Sequence, residues 1–165
     1  MRIVSPLELR QAFQTVTERV EAELLQHWTN GKQYTSLMRS RVLPATAREL
    51  DLQGYCEKDY YWLDAIFYEE KDTVHFPDGQ TYAKYVAVAL EHENQPGTTA
   101  IEMNKLQLFN TPLKVLITYA AGVQSEALLA RYARVVAEAD VFSAFTTERK
   151  QLVVFGREVT TRRVE

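Results

Sequence analysis

Six consecutive apolar or aromatic residues, Tyr85-Val86-Ala87-Val88-Ala89-Leu90, constrain this chain more than any other feature. A run that lacks the in-out alternation of a half-exposed strand predicts burial on both faces. The expected strand covers residues 81–93 and is broken by Asn94-Gln95-Pro96-Gly97. A second buried strand, residues 113–119, starts after Pro112. Between the two, Thr99-Ala100-Ile101-Glu102 has the pattern of a capping box and opens an expected helix to about Phe109.

The flanking segments complete an α/β pattern. Ser5-Pro6-Leu7-Glu8 is a capping box with proline in the first turn. Behind it Leu9, Phe13, Val16, Val20, Leu24 and Trp28 recur at helical steps, and Asn30-Gly31 suits a left-handed cap. Residues 32–57 show no clean period and are interrupted by Pro44, which predicts a loop-rich segment with at most a short strand or helical turn. Residues 59–69 are aromatic and β-rich and predict a strand. Pro77-Asp78-Gly79 predicts a turn. Residues 124–138 predict a long helix with Leu128, Tyr132, Val135 and Val136 on its apolar stripe, and 151–155 a last strand. Arg149-Lys150, Arg157 and Arg162-Arg163 make the C-terminal end basic.

At 165 residues, with no repeat or linker, one domain over residues 1–165 is the expectation. The formal charge of −3 and a pI near 5.7 argue against a broadly basic coat for nucleic acid, though not against local contact with phosphates through metal ions. Cys56 is the only cysteine, which excludes an internal disulfide and a Cys-rich zinc site. No segment approaches the ~20 apolar residues that span a bilayer. Residues 1–10 carry Arg2, Glu8 and Arg10, and the expected location is the cytoplasm.

Three carboxylates stand in these strands. Glu91 and Glu93 alternate with His92, so the two glutamates share a face and His92 takes the other. Their Cα atoms lie roughly 6.6 Å apart, within reach of one metal ion or one water. Asp64 sits among apolar residues of the preceding strand, where an unpaired charge is costly. If the two strands pair, three carboxylates meet, and a divalent cation, Mg²⁺ or Mn²⁺, relieves their repulsion. His27 and His75 have no partners at metal-ligand spacing. No Gly-x-Ser-x-Gly elbow and no glycine-rich phosphate loop is present.

Asp64, then Leu90-Glu91-His92-Glu93, a capped helix and the buried strand 113–119 together resemble the PD-(D/E)xK nuclease superfamily. The resemblance implies a restriction-endonuclease-like mixed sheet flanked by helices, with an αβββαβ core plus a C-terminal helix and strand. It also implies Mg²⁺-dependent hydrolysis of phosphodiester bonds by an endonuclease. Asp64 then corresponds to the metal-binding aspartate, Glu91 to the acidic residue of the (D/E)xK triplet, and Glu93 to its lysine. Two positions depart from the pattern: Leu63 precedes Asp64 in place of proline, and Glu93 replaces lysine. Lys105 on the next helix is the candidate for a migrated lysine. Glu18, Glu21 and Glu23 are open as an extra acidic ligand, with Glu23 preferred for its place beside the apolar stripe. Lys32, Arg39, Arg41, Lys105 and Lys114 are candidate phosphate contacts. The implied partner is nucleic acid, DNA by preference, with no membrane, and a homodimer or partner subunit if both strands are cut. The alternative is a catalytically inactive nuclease-like binding or regulatory protein in a nucleic-acid processing or defence complex.

Overall fold

The computed structural model describes residues 2–56, 60–119, 123–139 and 150–156. Within them a five-stranded mixed sheet carries helices on both faces. In chain order the elements are α1 (Pro6–Arg19), α2 (Glu21–His27), α3 (Gly31–Leu37), a π-helical turn (Met38–Val42), α4 (Leu43–Glu49), β1 (Gln53–Tyr55), β2 (Ala65–Tyr68), β3 (Thr73–His75), β4 (Thr81–Ala83), β5 (Val88–Glu93), α5 (Thr99–Gln107), β6 (Leu113–Tyr119), α6 (Val123–Ala139) and β7 (Lys150–Gly156). The main sheet has the order β1-β2-β5-β6-β7. β1 with β2 and β2 with β5 pair antiparallel, whereas β5 with β6 and β6 with β7 pair parallel. Parallel neighbours need a crossover, and α5 and α6 supply it. β3 and β4 form a separate two-stranded ribbon.

The long apolar runs occupy the middle of the sheet because they are buried on both faces. Val88, Leu90, Val115 and Ile117 pack with Leu9, Val16, Met38, Val42 and Leu43 from the N-terminal helices. Ala89 and Leu116, on the opposite face, pack with Ala100, Met103 and Leu106 of α5 and Tyr132 of α6. Lys114 is also buried there, its ammonium held by the Gln107 side-chain and backbone oxygens at 3.2 and 3.4 Å, so it is no phosphate contact.

Several local expectations hold. Ser5 Oγ accepts from the Glu8 amide, and the Ser5 amide donates to the Glu8 carboxylate. The Pro77-Asp78-Gly79 turn joins β3 to β4, with Gly79 at φ 85°. Others are corrected. The first helix breaks at Val20, where the Thr17 hydroxyl bonds back to the Phe13 and Gln14 carbonyls and bends the chain. Asn30 does not close that helix in a left-handed cap; its side chain accepts from the Gln33 amide and opens α3. Residues 31–49 are helical rather than loop-rich. A π-helical turn inserts a residue and shifts the buried stripe, which hides the helical period, and Pro44 falls in the first turn of α4 where its missing N–H is tolerated. α5 begins without a side-chain cap, since its N-cap is Thr98, whose hydroxyl donates to the Gln95 carbonyl, and the Thr99 hydroxyl donates to the Pro96 carbonyl.

The strand expected over 59–69 is reduced to β2. Tyr60 and Leu63 exchange two backbone hydrogen bonds of 3.0 Å across a tight turn. The single strand expected over 81–93 is two, because the chain bends after Ala83 and passes from the ribbon into the main sheet. Arg149, Arg157 and the Arg162-Arg163 pair lie outside the described residues.

Candidate active site

Asp64 and Glu91 meet across neighbouring strands. β2 pairs with β5 through Ala65 opposite Leu90, and continuing that register by one residue sets Asp64 opposite Glu91. The tight turn ahead of β2 orients Asp64. The Leu63 carbonyl is spent within that turn on the Tyr60 amide, and the His92 amide of β5 donates instead to Asp64 Oδ2 at 2.8 Å. Asp64 Oδ1 lies 3.8 Å from Nη1 of Arg39, which the π-helical turn brings over the end of the strand and whose Nε donates to the Cys56 carbonyl.

Glu91 is 2% exposed and points to the α5 face. Residues three apart on a helix are neighbours, so Glu102 and Lys105 face the strand together. Lys105 Nζ lies 2.8 Å from Glu91 Oε1 and 2.5 Å from Glu102 Oε2, and it donates to the Trp62 carbonyl at 2.7 Å. One ammonium thus serves two carboxylates with a third, Asp64, nearby. Burial pushes the Glu91 carboxyl up to about 9, and the bond to Lys105 only partly counters it, while Asp64 and Glu102 add to the rise. Burial alone lowers the affinity of Lys105 for its proton, but Glu102 and Glu91 together outweigh this and raise it.

Glu93 shares the Glu91 face and is partly buried, and its Oε1 accepts from the Gln95 amide at 2.7 Å. Glu23 is ion-paired with Arg41, both side chains about half exposed. Among the described residues no group of three or more His, Cys, Asp and Glu stands close enough to hold a metal ion. The Asp64–Glu91 pair offers carboxylate oxygens, the ligand type of Mg²⁺, which ordinarily binds one or two carboxylates and completes its shell with water and substrate oxygens. Its oxygens are of the required hard type, and Glu91 Oε1 has no aligned hydrogen-bond donor beyond its ion pair with Lys105.

His92 points to the other face of the sheet, as its alternation with the glutamates predicts. Its Nε2 lies 2.8 Å from the Tyr119 hydroxyl, which donates to the Tyr34 hydroxyl at 2.9 Å, while Nδ1 is buried without a partner. Burial lowers the imidazole to about 4, so it is neutral near pH 7. Tyr34 stacks on the imidazole and Tyr119 meets it edge-on, and Trp28, Tyr34 and Tyr119, packed edge to face on one another, wall a cavity of about 270 Å³ between α1, α2 and the sheet.

Sequence reading anticipated Asp64, Glu91 and Lys105 as chemistry-bearing residues, and the structure brings these three together. It did not pair Arg39 with Asp64, since the helical segment carrying Arg39 reads as loop, nor did it anticipate the Trp62 carbonyl. No protein-family model, curated protein or solved structure matches the chain. Among the described residues no helix is long and apolar enough to cross a membrane.

Proposed function

We propose that the protein is a Mg²⁺- or Mn²⁺-dependent nuclease of restriction-endonuclease-like fold that hydrolyses phosphodiester bonds in nucleic acid, DNA by preference. The observation that carries this reading is the pairing of Asp64 with Glu91 across β2 and β5, with Lys105 of α5 on Glu91. The strand order supports it, since an antiparallel β1-β2-β5 meander is followed by a helix and a parallel strand. Asp64 and Glu91 would hold the cation, which when bound would supply polarisation of a phosphoryl oxygen and a water of lowered pKa. Lys105 fixes the rotamer of Glu91 and offers positive charge to the phosphate. Arg39 does the same beside Asp64. Glu93 takes the proton of the attacking water.

Incubation of the purified protein with single- and double-stranded DNA and RNA tests this. Cleavage is expected in Mg²⁺ or Mn²⁺, absent in chelator, and lost in Asp64→Asn and Glu91→Gln. No cleavage in either metal, or cleavage indifferent to both substitutions, overturns the reading.

A second reading is a nuclease-like protein that binds without cutting. One observation favours it: Arg39 and Lys105 already neutralise the two carboxylates, and Glu93 stands where the related pattern has lysine. It predicts salt-dependent binding of nucleic acid with no turnover.

A further inference from the structure

We propose that Tyr61 and Trp62 form a stacking platform for the unpaired bases of a single-stranded nucleic acid lying across the Asp64–Glu91 site. This rests on reading that site as one that handles phosphodiesters.

Tyr61 and Trp62 have φ of 49° and 68°, and the residues flanking them exchange both backbone hydrogen bonds. Consecutive positive φ values in a two-residue hairpin turn are ordinarily met by Asn and Gly, which adopt them without steric cost. Two large aromatic residues there are outliers and hold strain.

Folding gains little in return. Tyr61 is 72% and Trp62 80% exposed, and the ring contact of Tyr61 is an edge-on one with Tyr60, centroids 5.0 Å apart. Broad ring faces are held out to solvent on a strained backbone.

Their position favours nucleic acid as the occupant. Trp62 is two residues from Asp64, and its carbonyl is bonded by the same Lys105 ammonium that contacts Glu91. The backbone that carries Trp62 and the Glu91 carboxylate are therefore held by one ammonium. A strand whose phosphates approach Arg39 and Lys105 turns its bases toward the two rings, and stacking on rings tolerates any base. Paired bases inside a duplex present no free faces, so the platform selects single strands.

Titration with a fluorescent fifteen-residue oligothymidylate in chelator, where nothing is cut, tests the proposal against a blunt duplex of equal length. The single strand is expected to bind more tightly. Trp62→Ala and Tyr61→Ala are each expected to weaken it by about tenfold. Because the chain has two tryptophans, Trp28 and Trp62, a Trp28→Phe background makes Trp62 the sole emitter, and the oligonucleotide is expected to quench it. The doubly substituted Tyr61→Asn/Trp62→Gly protein separates binding from folding. It is expected to melt at a higher temperature, through relief of the turn, while losing affinity.

Failure of the unsubstituted protein to bind the single strand overturns the proposal, as does unchanged affinity in the ring variants. A lower melting temperature in the double variant makes the rings structural and overturns it too. If the rings bind single strands and no metal supports cleavage, the nuclease reading fails and the platform stands; if cleavage occurs and ring variants bind normally, the platform alone fails.

Discussion

Lys105 reaches from the α5 helix to set its ammonium 2.8 Å from Oε1 of Glu91, a carboxylate 98% removed from solvent on the neighbouring strand. The same ammonium touches Glu102 and the Trp62 carbonyl. A buried acid, a helix and the turn ahead of Asp64 are thereby joined at one atom, and the stability of that corner depends on it.

Replacing Lys105 with Gln removes the cation and leaves the Glu91 oxygen without a partner. Glu91 already holds a proton at neutral pH, which limits the loss there to about 1–3 kcal/mol. The loss grows at higher pH, where Glu91 must stay charged. Adding Glu91→Gln is expected to recover part of it, and urea denaturation of the two single variants and the double variant measures the coupling.

Stability should fall as pH rises from neutrality toward 9. The folded-state carboxyl of Glu91 sits near 9, above its unfolded value of 4.5, so the folded state keeps a proton that the unfolded chain releases in between. His92 acts at the other end. Its folded value near 4 lies below the unfolded 6.5, so stability is lost as pH falls through that interval. The two slopes oppose each other below 6.5, and above it the Glu91 slope is no longer opposed by His92. Glu91→Gln is expected to flatten the curve between neutrality and 9, as read from denaturation midpoints at several pH values.

Divalent cations compete with that proton. Mn²⁺ is expected to raise the melting temperature more near pH ~8.5 than near pH ~6, because binding requires the deprotonated carboxylate. Glu91→Gln should abolish the difference. An equal shift at both pH values, or none at either, contradicts cation binding by this carboxylate.

The opposite face of the sheet offers an independent test. A Cβ at Gly156 would lie 2.2 Å from Cε1 of Tyr119, inside any tolerable contact. The ring has little room to yield, because Trp28 and Tyr34 pack against it and His92 bonds its hydroxyl. Gly156→Ala is expected to destabilise the fold by about 1–3 kcal/mol and to leave the Asp64–Glu91 side unchanged. Thermal denaturation checks the first part and metal-induced shifts the second.

Much of this architecture is written in local signals. The capping box at Ser5, the turn at Pro77-Asp78-Gly79 and the apolar run of β6 follow from backbone preferences and burial within a few residues, and each is found where the sequence indicates it, whereas the run that leads into β5 becomes a strand only from Val88. The alternation of Glu91, His92 and Glu93 already assigns the histidine to the face opposite the glutamates. Tertiary structure decided the rest. The helices of residues 31–49 are held by the burial of Met38, Val42, Leu43 and Ala47 on the sheet, against a period that the π-helical turn disrupts. The left-handed backbone at Tyr61 and Trp62 runs against the β preference of aromatic residues, and the bonds between Tyr60 and Leu63 and from Lys105 to the Trp62 carbonyl stand at that turn. The contacts of Arg39 with Asp64 and of Lys105 with Glu91 join separate elements, and such pairings depend on how those elements pack, which spacing along a chain does not encode.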